Sequence, residues 1–215
     1  MLSKNANIED LPLFPLPEVV LFPGCTLPLH IFEPRYREMV TTCLTNKEHV
    51  FGVLTLDPDT RKPSKVGCIA EIVEVERLPD GRMNILTMGR ERFKVTEFLR
   101  NKPYLVGRAE FLEDEPAEGD AVQLAEQMQQ LLRDVVRLSA KLADKEIDFP
   151  ADIPTGPQEL SFWVAGSFPG LPDEQQILLE MRDTGARLER EFGILQAACK
   201  QLAARAAIKD AFETN

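Results

Sequence analysis

The sequence predicts an α+β protein, with a β domain at the N-terminal side and an α-helical bundle after it. Between residues 11 and 112, short runs rich in β-branched and aromatic residues alternate with Pro and Gly, which is typical of strands and turns. After an acidic segment, apolar residues recur at helical spacing. We therefore predict two domains, a β domain over residues 1–115 and a helical bundle over residues 116–215.

The first predicted strand contains two prolines. Residues 11–16 are apolar, but Pro12 and Pro15 have no N–H to donate, so we expect an edge strand or an extended arm. A strand pair is expected around Pro23 and Gly24, formed by residues 18–22 and 26–31. The remaining strands are predicted at residues 50–56, 66–77, 82–88, 91–98 and 104–112.

Two local signals indicate how these strands connect. Pro79, Asp80 and Gly81 form a turn sequence that predicts a hairpin. The apolar phase slips between Ile69 and Ile72, which predicts a bulge or bend of the kind that a closed or half-closed barrel needs.

One helix is expected inside the β domain. Pro34 suits the first helical position, and an apolar stripe then follows at helical spacing. This stripe is expected to pack on the sheet and leaves Arg35, Arg37 and Glu38 on the solvated side. Its members are Tyr36, Met39, Val40, Cys43 and Leu44.

The second half begins after a linker. Residues 110–120 hold six acidic side chains together with Pro116 and Gly119. Asp120 is expected to cap a long helix that the proline-rich residues 148–157 terminate. Further helices are predicted at residues 158–168, from Pro172, and over a long final stretch. Because that last helix alternates its apolar residues in steps of four and three, it fits packing inside the bundle or an intermolecular coiled coil. The apolar positions of the two long helices are Leu124, Met128, Leu131, Leu132, Val135, Leu138 and Leu142, then Leu188, Phe192, Leu195, Cys199, Leu202 and Ala206.

Charge and composition exclude several functions. The chain carries a net charge of -10, of which -3 falls in residues 1–115 and -7 in the remainder. Nucleic acids and anionic membranes are poor partners for such a chain, since both are bound mainly through Lys and Arg. Residues 1–10 do not resemble a signal peptide and no apolar run reaches membrane-span length, so we expect a cytoplasmic protein. The four separated cysteines fit reduced, buried thiols.

No catalytic, cofactor-binding or metal-binding constellation emerges from the sequence. Only two histidines occur, His30 and His49, and neither lies at a metal-ligand spacing. Phosphate-binding glycine motifs are absent, and Ser167 lacks the spacing of a nucleophile elbow. We therefore predict a protein that is not an enzyme and has no cofactor.

The β half also resembles a known protein family. The residues from Leu11 to Gly24, followed by Leu27, Pro28 and Leu29, resemble the opening of the N-terminal substrate-binding domain of the ATP-dependent Lon protease family. The similarity continues at residues 51–54, 66–72, 78–81 and 89–93. Residues 30–37 are more similar to versions of this domain found outside the protease. The helical half is similar mainly in layout and over residues 160–188.

The resemblance implies a PUA-like β pseudo-barrel followed by a helical bundle. It also implies a stand-alone module without the ATPase and Ser-Lys protease domains, which would neither cut peptides nor hydrolyse ATP. The leading hypothesis is a non-catalytic recognition module that binds unfolded polypeptide or a protein partner. The alternatives are a self-associating or adaptor protein without a peptide groove, and a PUA-like RNA-binding module. The sequence predicts no oligomeric state.

A candidate peptide-binding surface follows from the β domain. Aromatic side chains beside an edge strand, including Phe22, fit a known mode of peptide recognition, and two arginines fit a carboxylate. The opposing interpretation places the aromatics in the core and the arginines in solvent. The candidate residues are Phe14, Phe32, Arg35, Tyr36 and Arg37.

Overall fold

The computed structural model describes residues 8–46, 48–115, 120–150, 152–168 and 170–213. The chain forms two compact units. Unit 1 comprises Met1–Glu113 with Ala165–Glu180, and unit 2 comprises Asp114–Val164 with Met181–Asn215. The sequence-based boundary after residue 115 stays a prediction, and the observed grouping differs from it in Ala165–Glu180. Within the predicted linker, residues 116–119 lie outside the described residues.

Unit 1 is built on six strands. They are β1 (Ile8–Pro17), β2 (Thr26–Ile31), β3 (Val50–Leu56), β4 (Pro63–Arg77), β5 (Met83–Arg100) and β6 (Leu105–Phe111). The strand order is β2-β5-β4-β3-β1-β6, and a further pairing of β5 with β6 closes five of the strands into a ring. The sixth, β2, extends the sheet beside the first part of β5. This closure confirms the predicted barrel-like architecture.

The expected place of β1 at a sheet edge is wrong, because β1 lies between β3 and β6. It pairs with β6 through residues 8–13 and with β3, in parallel, through residues 13–17. Pro12 and Pro15 therefore each occupy a part of β1 that is paired on one side only. A missing N–H is tolerated there because it can face the unpaired side.

The expected strand over residues 18–22 is also wrong. Glu18 has a φ of 57° and ends β1, and the following residues form no strand. Leu21 and Phe22 are buried instead of alternating between core and solvent. In consequence β2 pairs with β5 and not with the preceding segment.

The hairpin between β4 and β5 confirms the predicted turn. Leu78 N donates to the carbonyl of Arg82 (2.9 Å), and Gly81 adopts a φ of 82°. The register of β4 against β5 shifts between Ile72 and Glu74, where Val73 is the extra residue of β4, and this confirms the predicted bulge. A second shift, opposite residues 68–70, places the extra residue in β5. The two strands expected at residues 82–88 and 91–98 form one long strand, β5, because its bulges let it bend without a break.

Side chains on opposite faces of the strands fill two apolar clusters. The cluster inside the ring includes Leu13, Leu54 and Ile69, from three adjacent strands. The cluster on the other face contains residues that are adjacent in sequence to those of the first, such as Phe14 next to Leu13 and Cys68 next to Ile69. Helix α1 (Pro34–Thr45) packs into this second cluster. Burial on both faces explains why β3 and β4 are apolar nearly throughout. The buried residues of α1 are those of the predicted stripe, Tyr36, Met39, Val40 and Cys43.

Helix α4 (Pro172–Glu180) belongs to unit 1. Its carboxyl end is held by Arg92, a buried residue of β5 that donates from Nη1 to the carbonyl of Leu179 (2.5 Å). On β4, the carbonyl of Val66 accepts a hydrogen bond from Gln176 Nε2 (3.2 Å). A charged donor at the last carbonyls of a helix satisfies groups that the helix itself leaves unpaired.

Unit 2 contains α2 (Asp120–Ala143), most of α3 (Pro157–Gly166) and α5 (Thr184–Glu213). The long helices α2 and α5 pack against each other, and Leu188, Leu195 and Ala206 of the final apolar repeat are buried within the chain. Phe192, Cys199 and Leu202 of the same repeat are half-buried, so packing inside the bundle covers this repeat in part. Among the described residues, no helix combines the length and apolar character needed to cross a membrane.

Candidate functional site

Strand β2 has an unpaired outer edge in the part of the chain that the structure describes. The carbonyl of Leu27 faces β5 and accepts a hydrogen bond from the Thr87 hydroxyl (2.9 Å). By the alternation of an antiparallel strand, the backbone groups of Thr26, Pro28 and His30 face away from β5. Pro28 is tolerated because its missing N–H lies on this free edge, and it limits how many hydrogen bonds an added strand could form.

A row of polar side chains crosses the exposed face next to this edge. His30 Nδ1 donates to Asn84 Oδ1 (2.7 Å), and Asn84 Nδ2 donates to Glu76 Oε2 (2.7 Å). Arg82 Nη1 lies 3.4 Å from His30 Nε2. These residues come from β2, β4 and β5 and from the hairpin, so the fold fixes the orientation of the His30 ring.

Phe32 stands at the end of β2 beside this row. Its ring is stacked on the ring of His30, with centroids 6.1 Å apart and an interplanar angle of 23°. The side chain is 60% exposed, which is unusual for a phenylalanine of a folded domain. We name Thr26, Pro28, His30, Phe32 and the row partners Asn84 and Arg82 the β2-edge surface.

The two predicted arginines are engaged within the protein. Arg35 pairs with Glu33 (Nη2 to Oε2, 2.8 Å), and its guanidinium lies 4.5 Å from the centroid of the Tyr36 ring. Arg37 donates from Nη1 to the carbonyl of Asp80 (3.3 Å) at the tip of the β4–β5 hairpin. Each arginine thus has a partner within the protein. The partner of Arg35 is Glu33, the residue that directly follows Phe32, whereas Arg37 contacts the β4–β5 hairpin.

The other predicted aromatics lie in the core. Phe14 and Tyr36 are buried and contact each other with ring centroids 4.1 Å apart. Phe22 is buried as well. Burial raises the pKa of the Tyr36 hydroxyl, against an opposing effect of Arg35. Of the three aromatic candidates in the set, only Phe32 is presented to solvent.

Among the described residues, no group of three or more His, Cys, Asp or Glu side chains comes together as a metal site. The thiols of Cys43 and Cys68 are buried and free, and burial raises the pKa of the Cys43 thiol to about 11. Buried thiols of raised pKa are poor nucleophiles. The contacts within the β2-edge surface are hydrogen bonds and a ring stack.

A family profile described as the ATP-dependent protease La (LON) substrate-binding domain matches residues 10–197. The chain belongs to this family. Residues 10–197 correspond to the substrate-binding domain and not to the ATPase or protease domain. The LON substrate-binding family also accounts for the mixed α+β fold, with a β region followed by helices.

Curated relatives and solved structures agree with this assignment. The chain is 29% identical over 197 residues to a Lon protease of Anaeromyxobacter dehalogenans, covering 88% of this chain and 23% of that protein. A Lon N-terminal domain protein from Xanthomonas campestris superposes with a TM-score of 0.64 at 26% identity, covering 86% of this chain and 98% of the other. The N-terminal domain of a Mycobacterium avium complex Lon protease shares the fold, with a TM-score of 0.66 at 20% identity and coverage of 87% and 98%. The chain thus spans about a quarter of the length of the curated Lon proteases that it matches.

Sequence reasoning missed the row around His30 and every buried charge. His30 and Asn84 are far apart in the chain, so only the register of β2 against β5 brings them together. Arg92, Arg187 and Glu191 are buried, and two of them, Arg92 and Glu191, directly follow another charged residue in the sequence. The sequence offered one signal of their burial, which is that each lies on the apolar face of its strand or helix.

Proposed function

We propose that this chain is a non-catalytic recognition module of the LON substrate-binding family that binds unfolded polypeptide segments or a protein partner through unit 1. Family membership supports the coarse function, since a substrate-binding domain handles protein substrates. The observation that carries the proposal is Phe32, an exposed ring held on His30 beside an unpaired strand edge.

The physical basis is the combination of an apolar side chain with free backbone groups. Unfolded segments expose aromatic and aliphatic side chains together with unpaired amides, whereas folded proteins bury both. Phe32 offers an apolar contact, and the carbonyl groups of Thr26, Pro28 and His30 offer hydrogen-bond acceptors. Because Pro28 has no backbone N–H to donate at this edge, we expect side-chain contacts to contribute more to the binding affinity than backbone hydrogen bonds of an added strand.

The test compares two exposed phenylalanines. A reduced and alkylated polypeptide that cannot refold, labelled with a fluorophore, is titrated with the full chain and followed by anisotropy. We expect Phe32→Ala to weaken binding by about fivefold or more, in line with the loss of one buried aromatic contact. The matched control is Phe212→Ala, which removes a phenylalanine that is 80% exposed on α5 in unit 2.

Three results would contradict the proposal. They are equal binding by the Phe32→Ala variant, equal affinity for the native form of the same polypeptide, and a loss of binding caused by Phe212→Ala alone. The last would favour the second candidate, a self-associating or adaptor protein, because Ile208 and Phe212 form an exposed apolar stretch of α5. Light scattering of both variants then shows whether that stretch mediates self-association.

A further inference from the structure

A groove opens in unit 1 where β4 and β5 separate. The ladder between these strands begins at Val66 opposite Lys94. Before that point β4 pairs only with β3, and beyond it β5 pairs with β6 through Phe93–Arg100. The groove has a volume of about 610 Å3 and lies between the start of β4 and the end of β5. Its lining includes Lys62, Lys65, Phe98, Leu99 and Arg100.

A bulge in β5 gives the groove an apolar floor. The register of β5 against β6 shifts between Phe98 and Arg100, so Leu99 is the additional residue. Phe98 is 41% exposed and Leu99 38% exposed, although they are consecutive in a strand. Bulges of this kind re-aim side chains, and here two apolar neighbours both line the groove. Phe98 stands opposite Gly107 of β6.

Three cations surround this apolar floor. Lys62, Lys65 and Arg100 are exposed, and none of them forms an ion pair with any described residue. No acidic residue lines the groove. In a chain of net charge -10, three cations without an ion pair therefore line one groove, and the Asp57 carboxylate in the preceding turn interacts with Lys62 only at longer range.

Two contacts order the chain near Lys62 and Arg100. The turn before Lys62 is fixed by Asp57, whose carboxylate accepts hydrogen bonds from the Thr60 hydroxyl (2.8 Å) and the amide of Asp59 (3.1 Å). The guanidinium of Arg100 lies 5.9 Å from the centroid of the Tyr104 ring. On the other side of β5, the Glu97 carboxylate is already paired with Arg108 (2.7 Å).

We propose that this groove binds an extended peptide segment in which apolar side chains alternate with carboxylates. Apolar side chains would pack on Phe98 and Leu99, while carboxylates would pair with Lys65 and Lys62 on one wall and with Arg100 on the other. The unpaired stretch of β5 facing the groove contains no proline, unlike β2. The proposal rests on the proposed function in one respect, that unit 1 binds polypeptide, and it adds a preference for acidic sequences at a separate groove.

The experiment compares two fluorescent peptides of equal length. In one, Phe and Leu alternate with Asp and Glu, and in the other the acids are replaced by Asn and Gln. We expect the full chain to bind the acidic peptide about tenfold more tightly, with an affinity that falls as salt is added. The double variant Lys65→Glu, Arg100→Glu is expected to remove the preference, and the milder Arg100→Ala to reduce it. Lys200→Glu reverses one charge on α5 in unit 2, at a residue that does not line the groove, and is expected to change nothing.

The outcomes separate this proposal from the proposed function. Equal binding of both peptides, or an unchanged preference in folded Lys65→Glu, Arg100→Glu protein, overturns the groove proposal. If the unfolded polypeptide still binds and Phe32→Ala still weakens it, the proposed function stands without the groove. Tight binding of the acidic peptide that is sensitive to Arg100→Ala but not to Phe32→Ala supports the groove by itself. Failure of every polypeptide to bind overturns both.

Discussion

Glu191 on α5 is a carboxyl group in an apolar setting. It is completely buried between turns that present Leu188 and Leu195 to the same core, and its oxygens accept no hydrogen bond from the described residues. Burial raises the pKa of this carboxyl to about 9, against the opposing effect of Arg187 one turn earlier. Glu191 is therefore protonated at neutral pH in the folded protein.

This raised pKa makes stability depend on pH. In the unfolded chain the Glu191 carboxyl loses its proton near its ordinary pKa of 4.5, whereas the folded protein keeps it to about pH 9. Because the unfolded state binds fewer protons in that window, the free energy of unfolding falls as pH rises, by at most about 1.4 kcal/mol per pH unit. We expect Glu191→Gln to flatten this dependence. Denaturant unfolding of both proteins between these pH values measures it, and parallel curves would contradict the assignment.

Gly89 in β5 allows a close approach of the loop before β2. Its amide donates to the carbonyl of Cys25 (2.8 Å), and its carbonyl accepts from the amide of Gly24 (2.9 Å). A Cβ atom at this position would lie 2.0 Å from the carbonyl oxygen of Phe22. The backbone itself occupies the space that any side chain would need.

We therefore expect Gly89→Ala to lower the free energy of unfolding by about 1–3 kcal/mol, the usual cost of forcing extra volume into a packed site. The matched control is Gly193→Ala in α5, where an added Cβ meets nothing within 4 Å. This control is expected to stabilise the helix by about 0.5–1 kcal/mol. Thermal and urea unfolding measure both. A neutral Gly89→Ala protein would show that the loop is not held against β5.

At the scale of elements, unit 2 is organised around one buried ion pair. Arg187 of α5 is fully buried, and its Nη2 lies 2.6 Å from Asp114 Oδ2. The same guanidinium donates to the Ser161 hydroxyl of α3 (2.7 Å) and to the carbonyl of Met181 (2.9 Å). Thr184, the first residue of α5, donates from its hydroxyl to Asp114 (2.8 Å). One arginine thus connects α3, the start of α5 and the segment that follows β6.

Removing one partner leaves a buried charge without compensation. We expect Asp114→Ala to lower the free energy of unfolding of unit 2 by about 3–5 kcal/mol. Asp134→Ala breaks an exposed pair with Arg137 (3.0 Å) and is expected to cost less than about 1 kcal/mol. Hydrogen exchange of α3 and α5 amides reports where the loss occurs. Equal costs for the two substitutions would show that the Asp114 pair contributes no more than a surface pair.

The elements also show what the sequence can predict. Local signals identified α1, the β4–β5 hairpin and the bulge in β4, because proline, glycine and apolar spacing act within a few residues. Pairing partners could not be found this way. The prolines of β1 indicated an edge, but β1 lies between two strands that pair with different parts of it.

The candidate site was predictable only in part for the same reason. Phe32 is exposed as the peptide-binding hypothesis required, whereas Phe14 and Tyr36 lie in the core. Aromatic composition cannot distinguish these cases, since exposure depends on which face of the sheet α1 covers. The sequence did not indicate the cations of the groove, because Lys62 and Arg100 are far apart in the chain. They line the same groove only because β4 and β5 separate there.

At the scale of the whole molecule, an acidic chain carries two exposed surface features in unit 1. The chain has a net charge of -10, while unit 1 carries an exposed aromatic side chain beside a strand edge and a groove lined by cations. Both features suit polypeptide, and the LON substrate-binding family provides the context. We propose that unit 1 performs the recognition and does so without catalysis.

Hydrogen–deuterium exchange of the full chain, with and without a permanently unfolded polypeptide, tests this account most directly. We predict slower exchange of the β2 amides and of the segment through Phe32 when the polypeptide is bound, with α2 and α5 unchanged. The free edge of β2 supplies the reason, because its outward amides exchange readily until a ligand covers them. Binding accompanied by protection only in α2 or α5, or no protection at saturating polypeptide, would contradict the account.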